Sequence, residues 1–476
     1  MNMQMWCCMK VVMCACIWVL TAGDDQSTPG IDLLQEYMQT DPTKVCHYIQ
    51  CQEPLRAVDC PVGTLYQQGV TQLGCCGACV RYKQAGEGIC TGNLDPKFNS
   101  GYGTSTSQRE HLSLFSESYD NIVTSSWCDY ALNCSQDGVC RVDDQARGCK
   151  YVQRRYDEDR ESGSIMPYRD DYRWRPTCTL DGQYAEKQCK GPYSERRCVC
   201  VDPEGLTIYG KAFTWQRDLY QDMNCKCSRR LWELQQAGKT TMTLHCLENG
   251  NYEPLQCEDG WCYCIDPATA IPYGPALPED VMNILPCYNA TTTGQQYLRR
   301  CDSVYHAHYL LLDYMKAKNM QGPSITLNCD PDGSYGGLQY SFDGTYRCYD
   351  KYDNKYDSLI AQPAGGGCNC ARDRLLYQEN HMIVTLTCTT SDYAAAGVYN
   401  QFQVAGEVIY CVDQDGIRAS SIILEKFKDK LNCAKAVECQ NGNLKSCDEV
   451  CDGCPNDAYP AYNAQSSYNN STFERR

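Results

Sequence analysis

The chain has 476 residues, a formal net charge of −16 and 38 cysteines, with 36 tyrosines against only 7 phenylalanines. The acidic balance disfavours nucleic acid and anionic lipid surfaces as partners. A cysteine content this high is typical of small modules that are held together by disulfides rather than by a large apolar core.

The first residues have the layout of a secretory signal peptide. Lys10 precedes an apolar run over Val11–Leu20, and small residues follow at Thr21–Gly23. The apolar run is too short for a helix that spans a bilayer. We therefore predict a signal peptide over 1–23, a linker over 24–45 and a secreted, extracellular protein without membrane insertion.

The cysteine count argues against catalysis. Four of the 38 cysteines lie in the signal peptide, so the mature chain keeps 34, an even number that can pair completely. A nucleophilic cysteine needs a free thiolate and a neighbouring base. His306 and His308 lie two residues apart on a predicted helix and so point to different faces. We predict no catalytic residue, no enzyme activity, no metal site and no cofactor.

The first cysteine-rich module covers 46–140 and contains ten cysteines, with the texts CCGACVRYKQAGEGIC and CDYALNCSQDGVC. These texts resemble the N-terminal domain of insulin-like growth factor binding proteins. That family has a G-C-G-C-C run, of which this chain keeps only Gly74–Cys76. Because of this departure, hormone binding is not carried over with the resemblance, and the disulfide pairing within the module stays open. An extracellular peptide ligand, such as a growth factor, remains an alternative that the order of modules supports.

Two cysteine-bounded segments follow with the same internal order. Segment 1 (149–225) contains CTLDGQYAEKQC and then CVCVD, and segment 2 (227–287) contains CLENGNYEPLQC and then CYCID. Both strongly resemble the thyroglobulin type-1 domain, whose signature is G-x-Y, then Q-C, then C-W-C-V; Val199 and Tyr263 stand at the Trp position. The resemblance implies the disulfides Cys149–Cys178, Cys189–Cys198, Cys200–Cys225, Cys227–Cys246, Cys257–Cys262 and Cys264–Cys287.

Two further segments resemble degenerate copies. Segment 3 (301–368) has Tyr340 and Tyr346, and segment 4 (370–433) has Val404 and Ile409, where the third and fourth cysteines should stand. The two missing cysteines are bonding partners in the family, so their joint loss leaves no free thiol, and apolar or aromatic packing can fill the space. The implied remaining disulfides are Cys301–Cys329, Cys348–Cys368, Cys370–Cys388 and Cys411–Cys433.

The fold class is therefore small disulfide-rich modules, each repeat having a short α-helix plus short β-strands and loops. Apolar spacing predicts a helix after the first cysteine of segments 2 to 4, with core positions such as Leu231, Leu234 and Leu311. Single residues join segments 1 to 2 and 3 to 4, whereas 288–300 separates the pairs. We expect two rigid pairs with a softer joint between them.

The tail over 434–476 contains the last four cysteines, and in an oxidising compartment two disulfides are favoured over a zinc site. Among the Asn-x-Ser/Thr sequences, those at Asn289 and Asn470 are the predicted glycosylation sites. Asn289 lies between the two pairs of segments.

Some thyroglobulin type-1 domains inhibit papain-like cysteine proteases by inserting disulfide-braced loops into the active-site cleft. The resemblance thus implies a secreted or lysosomal-type cysteine protease as partner. The candidate contact residues follow the third cysteine of segments 1 and 2: Lys190, Pro192, Tyr193, Arg196, Arg197, Glu258 and Trp261. The alternatives are a growth-factor or peptide-binding protein and a structural matrix protein.

Overall fold

The computed structural model describes residues 60–61, 64–67, 78–93, 122–143, 146–165, 172–179, 181–192, 195–239, 242–294, 296–322, 327–340, 345–361, 368–382, 386–389, 397–441, 447, 450–451 and 453–460. The predicted signal peptide, the linker and Asn470 lie outside these residues. The chain divides into two compact units, 1–146 and 147–476. None of the described helices combines the length and the apolar character that crossing a bilayer requires.

The N-terminal unit contains two small sheets tied by disulfides. The strands are β1 (Leu65–Gln67), β2 (Ala78–Lys83), β3 (Gly92–Asn93), β4 (Ile122–Cys128), β5 (Leu132–Cys134) and β6 (Cys140–Val142). The first four form a sheet in the order β1-β2-β4-β3, and β5 pairs with β6 as an antiparallel hairpin. The disulfides among the described residues are Cys60–Cys79, Cys90–Cys134 and Cys128–Cys140.

The second unit repeats one arrangement four times: a helix after the first cysteine, then a three-stranded antiparallel sheet. The fold class predicted from the sequence is confirmed. Segment 1 has α1 (Cys149–Glu161), β7 (Lys187–Lys190), β8 (Arg197–Val201), β9 (Thr207–Phe213) and the short α2 (Arg217–Asp222). Segment 2 has α3 (Lys226–Gln236), β10 (Leu255–Glu258), β11 (Trp261–Ile265) and β12 (Pro272–Pro278).

Segments 3 and 4 keep this order. Segment 3 has α4 (Arg300–Ala317), β13 (Leu338–Tyr340), β14 (Tyr346–Tyr349) and β15 (Lys355–Ala361). Segment 4 has α5 (Asn369–Glu379), β16 (Phe402–Ala405), β17 (Val408–Cys411) and β18 (Ile423–Leu424), and α6 (Cys433–Gln440) begins the tail. The helices differ in burial: Leu231 and Leu234 of α3 are buried, whereas Leu310 and Leu311 of α4 are 63% and 47% exposed. The expected core position at Leu311 is therefore wrong, because α4 is largely uncovered.

Disulfides join the cysteines within each segment. The ten bonds are Cys149–Cys178, Cys189–Cys198, Cys200–Cys225, Cys227–Cys246, Cys257–Cys262, Cys264–Cys287, Cys301–Cys329, Cys348–Cys368, Cys370–Cys388 and Cys411–Cys433. The tail adds Cys439–Cys447 and Cys451–Cys454. Every cysteine in the described part of the chain is disulfide-bonded.

In all four segments, the positions of the third and fourth cysteines of the repeat face each other across the first hairpin of the sheet. Cys189 faces Cys198 and Cys257 faces Cys262 across the strands. In segment 3, Tyr340 faces Tyr346, with ring centroids 5.1 Å apart in an edge-on arrangement. In segment 4, Val404 faces Ile409, which is fully buried. Side-chain packing thus takes the place of the disulfide in the last two hairpins.

A buried glutamine ties each hairpin to the chain before it, and the four equivalents are Gln188, Gln256, Gln339 and Gln403. In segment 2, Gln256 Oε1 accepts from the His245 amide at 3.0 Å, and its Nε2 donates to the carbonyls of His245 and Glu253, both at 2.8 Å. The other three glutamines make the same set of three bonds. A buried amide is tolerated here because both of its ends are hydrogen-bonded.

The joints within the two pairs of segments are alike. Arg229 on α3 donates to the carbonyls of Tyr184 and Val201 in segment 1, and Arg372 on α5 donates to the equivalent carbonyls of Tyr335 and Tyr349 in segment 3. A Cβ added to Gly250 or Gly397 would lie 2.4 and 2.6 Å from the cysteine sulfur of the preceding segment. Glycine therefore permits the close approach that both joints use.

The joint between segments 2 and 3 is built differently. Tyr297 is buried and donates to the Thr243 carbonyl at 2.8 Å. Arg299 binds both carboxylate oxygens of Glu253 at 2.8 Å, and His245 Nε2 lies 2.9 Å from Asp302 Oδ2. The linker that the sequence suggested to be soft is thus packed against segment 2.

Candidate functional site

The hairpin at the end of β10 and the start of β11 projects from segment 2. Glu258 faces Trp261 across the strands, and Asp259 and Gly260 form the turn with φ of 51° and 79°. Two successive positive φ values are typical of the tight two-residue turn that matches the twist of the flanking strands. Glu258 is exposed and the Trp261 side chain is 54% exposed. Both candidate residues of segment 2 therefore lie on the surface.

The base of this hairpin is closed by the Cys257–Cys262 disulfide, whose Cα atoms lie 4.0 Å apart. The other side of β11 pairs with β12, so that Trp261 lies opposite Pro278. Glu279 donates its amide to the Gly260 carbonyl at 3.0 Å, which joins the turn to the chain after β12. The tip is therefore held from both sides although it projects into solvent.

Segment 2 also exposes apolar side chains elsewhere. They are Ile271, Tyr273, Val281 and Ile284, exposed by 62%, 45%, 41% and 68%. Val281 follows shortly after Glu279, whose amide binds the hairpin turn. Exposed apolar and aromatic side chains are features of protein-binding surfaces.

The equivalent hairpin of segment 1 has a different environment. Lys190 and Arg197 face each other across the strands, as Glu258 and Trp261 do, and the Cys189–Cys198 bond closes the base with Cα atoms 4.0 Å apart. Yet Lys190 is only 7% and Arg197 only 6% exposed, and Pro192 is buried. Arg196 is half-buried, and Tyr193 lies outside the described residues. The hairpin of segment 1 is therefore covered by other parts of the chain.

Lys190 Nζ lies 5.0 Å from the centre of the Trp174 ring of segment 1 itself, whereas Arg197 is covered by segment 4. Arg197 Nη1 donates to Asp373 Oδ2 at 3.1 Å, to the Tyr399 hydroxyl at 3.0 Å and to the Asp415 carbonyl at 2.8 Å. Burial by itself lowers the pKa of the Arg197 guanidinium, but Tyr377, Tyr399 and Asp373 raise the pKa well above its ordinary value. Arg197 is thus a permanent cation within this contact.

The sequence gives no signal for this contact. Asp373 lies 176 residues from Arg197 along the chain, and Tyr399 lies 202 residues away. Each residue type is common on protein surfaces, and neither the cysteine spacing nor the apolar pattern marks them. Only the packing of segment 4 against segment 1 brings them together.

The described residues offer no activated cysteine. The sulfur atoms of Cys90, Cys128 and Cys140 lie within 4.8 Å of one another, but each belongs to a disulfide and cannot act as a thiolate ligand. The described cysteines therefore cannot supply a nucleophile, and the exposed braced hairpin is that of segment 2.

The sequence profile of the thyroglobulin type-1 repeat family matches residues 152–218 and 220–274. Similar proteins include thyroglobulin of Bos taurus, 33% identical over 94 residues, and thyroglobulin of Sus scrofa, 31% identical over 94 residues. Equistatin of Actinia equina is 31% identical over 102 residues. Each match covers 19% of this chain; it covers 3% of either thyroglobulin and 40% of equistatin. The chain carries two thyroglobulin type-1 repeats, one at residues 152–218 and one at 220–274.

Proposed function

We propose that this protein is a secreted, extracellular binding protein that inhibits papain-like cysteine proteases, its partner being a secreted or lysosomal-type member of that class. The contact would be made by the hairpin Glu258–Trp261. The observation that supports this most is the half-exposed Trp261 at the tip of a hairpin closed by Cys257–Cys262. Disulfide-braced loops of some thyroglobulin type-1 domains enter protease clefts in this way.

The hairpin suits this role on physical grounds. Its turn, its disulfide and the hydrogen bond from Glu279 to Gly260 fix the backbone before binding, so little conformational entropy is lost on docking. A large, half-exposed indole can bury much apolar area in a cleft, and tryptophan is enriched among residues that dominate binding energy. The role is binding rather than catalysis.

Replacing Trp261 by Ala tests the proposal in the full-length secreted chain. We expect inhibition of a papain-like protease to weaken about thirtyfold, which corresponds to ~2 kcal/mol, because the aromatic anchor is removed. Tyr352→Ala is the matched control, since Tyr352 is a 77% exposed aromatic residue of segment 3. Equal inhibition constants for the wild type and Trp261→Ala would contradict the proposed contact.

We propose that segments 3 and 4 are diverged thyroglobulin type-1 repeats, which inhibit papain-like proteases weakly or not at all. Support comes from the equivalent glutamine contacts of Gln339 and Gln403 and from the same cross-strand register at the two lost cysteine positions. Their hairpins lack the brace between the strands, so more entropy would be lost if they bound a cleft.

Peptide binding by the N-terminal unit is a second candidate. Ile89 is 86% exposed and has φ of 61°, a rare backbone conformation for a β-branched residue. The next residue, Cys90, holds Ile89 in place in two ways: its amide donates a hydrogen bond to the Gly138 carbonyl, and its sulfur is bonded to Cys134. Calorimetric titration of the full chain with an insulin-like growth factor tests this; absence of heat, or equal affinity of Ile89→Asp, would exclude it.

A further inference from the structure

Segments 1 and 2 have equivalent disulfide-braced hairpins, of which the first is buried and the second exposed. Lys190 and Arg197 occupy the positions that Glu258 and Trp261 occupy in segment 2, next to the cysteines of the brace. The Arg197 residue is 6% exposed, whereas Trp261 is 54% exposed. Both hairpins have a disulfide at the base, but Arg197 lies against segment 4 whereas Trp261 lies at the surface.

The contact on segment 1 extends beyond Arg197. On the neighbouring strand β9, Lys211 forms an ion pair with Asp373, and the Thr207 hydroxyl donates to Asp415 Oδ2 at 2.7 Å. Asp373 is almost fully buried between the two cations Arg197 and Lys211. Segment 4 therefore covers two adjacent strands of the segment 1 sheet.

An apolar layer lies beside this polar cluster. Ile417 of segment 4 is 2% exposed and packs with Val199 and Val201 of β8, with Tyr184 at the edge of the cluster. The Ile417 Cγ2 atom lies 3.5 Å from the place where a Cβ on Gly191 would be. The Ile417 side chain is thus directed at the hairpin of segment 1, and its loss from the contact need not disturb the core of segment 4.

The contact is noncovalent. The disulfides of segment 4, Cys370–Cys388 and Cys411–Cys433, both close within that segment, and those of segment 1 close within segment 1. Among the described residues, no disulfide crosses from one to the other. Segment 4 can therefore separate from segment 1 without a redox step and without loss of either disulfide framework.

From these observations we propose that segment 4 is an intramolecular mask over a second, latent protease-binding hairpin between β7 and β8, through its contacts with Arg197 and with the hairpin residue Gly191. With the mask in place, the disulfide-braced hairpin of segment 2 is the exposed one of these two. Displacing segment 4 uncovers a second braced hairpin with basic rather than acidic and aromatic character. This rests on the proposed function, since it assigns regulation to the same type of contact.

The test uses the full-length chain with Ile417→Glu, which places a charge in the apolar part of the contact. Leu310→Glu is the matched control, since it makes the same change at a 63% exposed position of α4. We expect titration of a papain-like protease to give one enzyme per chain for the wild type and for Leu310→Glu, and two for Ile417→Glu. In a Trp261→Ala background, Ile417→Glu should restore inhibition at least tenfold.

The rate of amide hydrogen exchange over residues 187–200 measures whether segment 4 covers the hairpin of segment 1. We expect faster exchange there in Ile417→Glu, and also in Asp373→Ala, which removes the partner of Arg197. Slow exchange in both variants would show that this contact does not cover the hairpin, and the proposal would be wrong. Free-thiol titration confirms in each case that the disulfides have formed.

The two proposals fail in different ways. Suppose that Trp261→Ala weakens inhibition, and that residues 187–200 exchange rapidly in Ile417→Glu but this variant binds no second protease. The proposed latent hairpin of segment 1 is then refuted, and the segment 2 contact stands. If the wild type does not inhibit and Ile417→Glu does, the segment 2 contact is refuted and the mask stands. Inhibition by neither chain would overturn both.

Discussion

An aspartate follows the second strand of the first hairpin in all four segments, one residue after its end in segments 1 to 3 and two residues after it in segment 4: Asp202, Asp266, Asp350 and Asp413. Each carboxylate accepts amide hydrogens from the turn that follows, as Asp413 Oδ1 does from Asp415 at 3.0 Å and Ile417 at 2.9 Å. The environments differ. Burial, with a smaller effect of Asp415, raises the pKa of Asp413 to about 6, whereas hydrogen bonds, first of all from the Ala268 amide, lower the pKa of the half-buried Asp266.

This difference predicts a pH dependence of stability. The ordinary pKa of Asp413 is 3.8 and the folded value is about 6, so the folded chain binds the extra proton between these values. Stability from Asp413 is therefore fully present below pH ~4 and is lost as the pH rises through ~6. We expect Asp413→Asn, which keeps the amide contacts, to remove this loss in melting temperatures measured against pH. Asp266→Asn should leave this loss of stability unchanged. A similar pH dependence of the melting temperature in both variants would contradict the role of burial at Asp413.

At the scale of the element, the hairpins of segments 3 and 4 show how a brace can be replaced. Tyr340 and Tyr346 lie in the register of Cys189 and Cys198, and their rings are in contact. The loss of both cysteines of the pair is tolerated because the two strands still pair and the side chains that replace the cysteines still pack together. The hairpin keeps its shape, but its ends are no longer covalently joined.

Restoring the brace is a direct test of this equivalence. We expect Tyr340→Cys/Tyr346→Cys to form a disulfide during secretion and to stabilise segment 3 by about 2 kcal/mol, because a short loop is closed in the unfolded chain. Peptide mass spectrometry detects the bond and denaturant unfolding measures the gain. Tyr340→Cys alone should carry one free thiol, and a free pair in the double variant would contradict the shared register.

At the scale of the whole second unit, the arginine joints hold the segments in pairs. Arg229 is buried by segment 1, and this burial lowers the pKa of its guanidinium while two carbonyls receive its hydrogens. The exposed Lys226 connects the two segments, and no disulfide between described residues crosses this point. Apart from the peptide chain through Lys226, noncovalent contacts therefore keep segments 1 and 2 together.

Removing Arg229 should loosen the pair. We expect Arg229→Ala to leave the Tyr184 and Val201 carbonyls unpaired, at a cost of ~1–3 kcal/mol, and to speed tryptic cleavage after Lys226. Non-reducing gel electrophoresis measures the cleavage. Arg230→Ala is the matched control, since Arg230 lies on the same helix, is about half exposed and pairs with Glu233. Equal cleavage rates in the two variants would show that Arg229 does not hold the joint.

The sequence predicts the segments better than their assembly. Disulfide-rich modules with a helix and short strands follow from cysteine spacing, because in such modules the bonds replace a large core and leave a local trace. The covering of Lys190 and Arg197 leaves no such trace. The covering of Arg197 depends on Asp373, Tyr399 and Ile417, which are distant from it in the sequence, so the sequence does not indicate that the hairpin of segment 1 is covered and that of segment 2 exposed.

The packed linker between segments 2 and 3 sets where this protein can be divided. A fragment that ended at Cys287 would lack Tyr297, whose hydroxyl binds the Thr243 carbonyl, and Arg299, which binds Glu253. It would also expose the buried His245, which contacts Asp302. Recombinant fragments should therefore include Asp302 and, so that Cys301 keeps its disulfide, extend to Cys329 or beyond, because the last cysteine of a repeat does not mark the end of a folding unit.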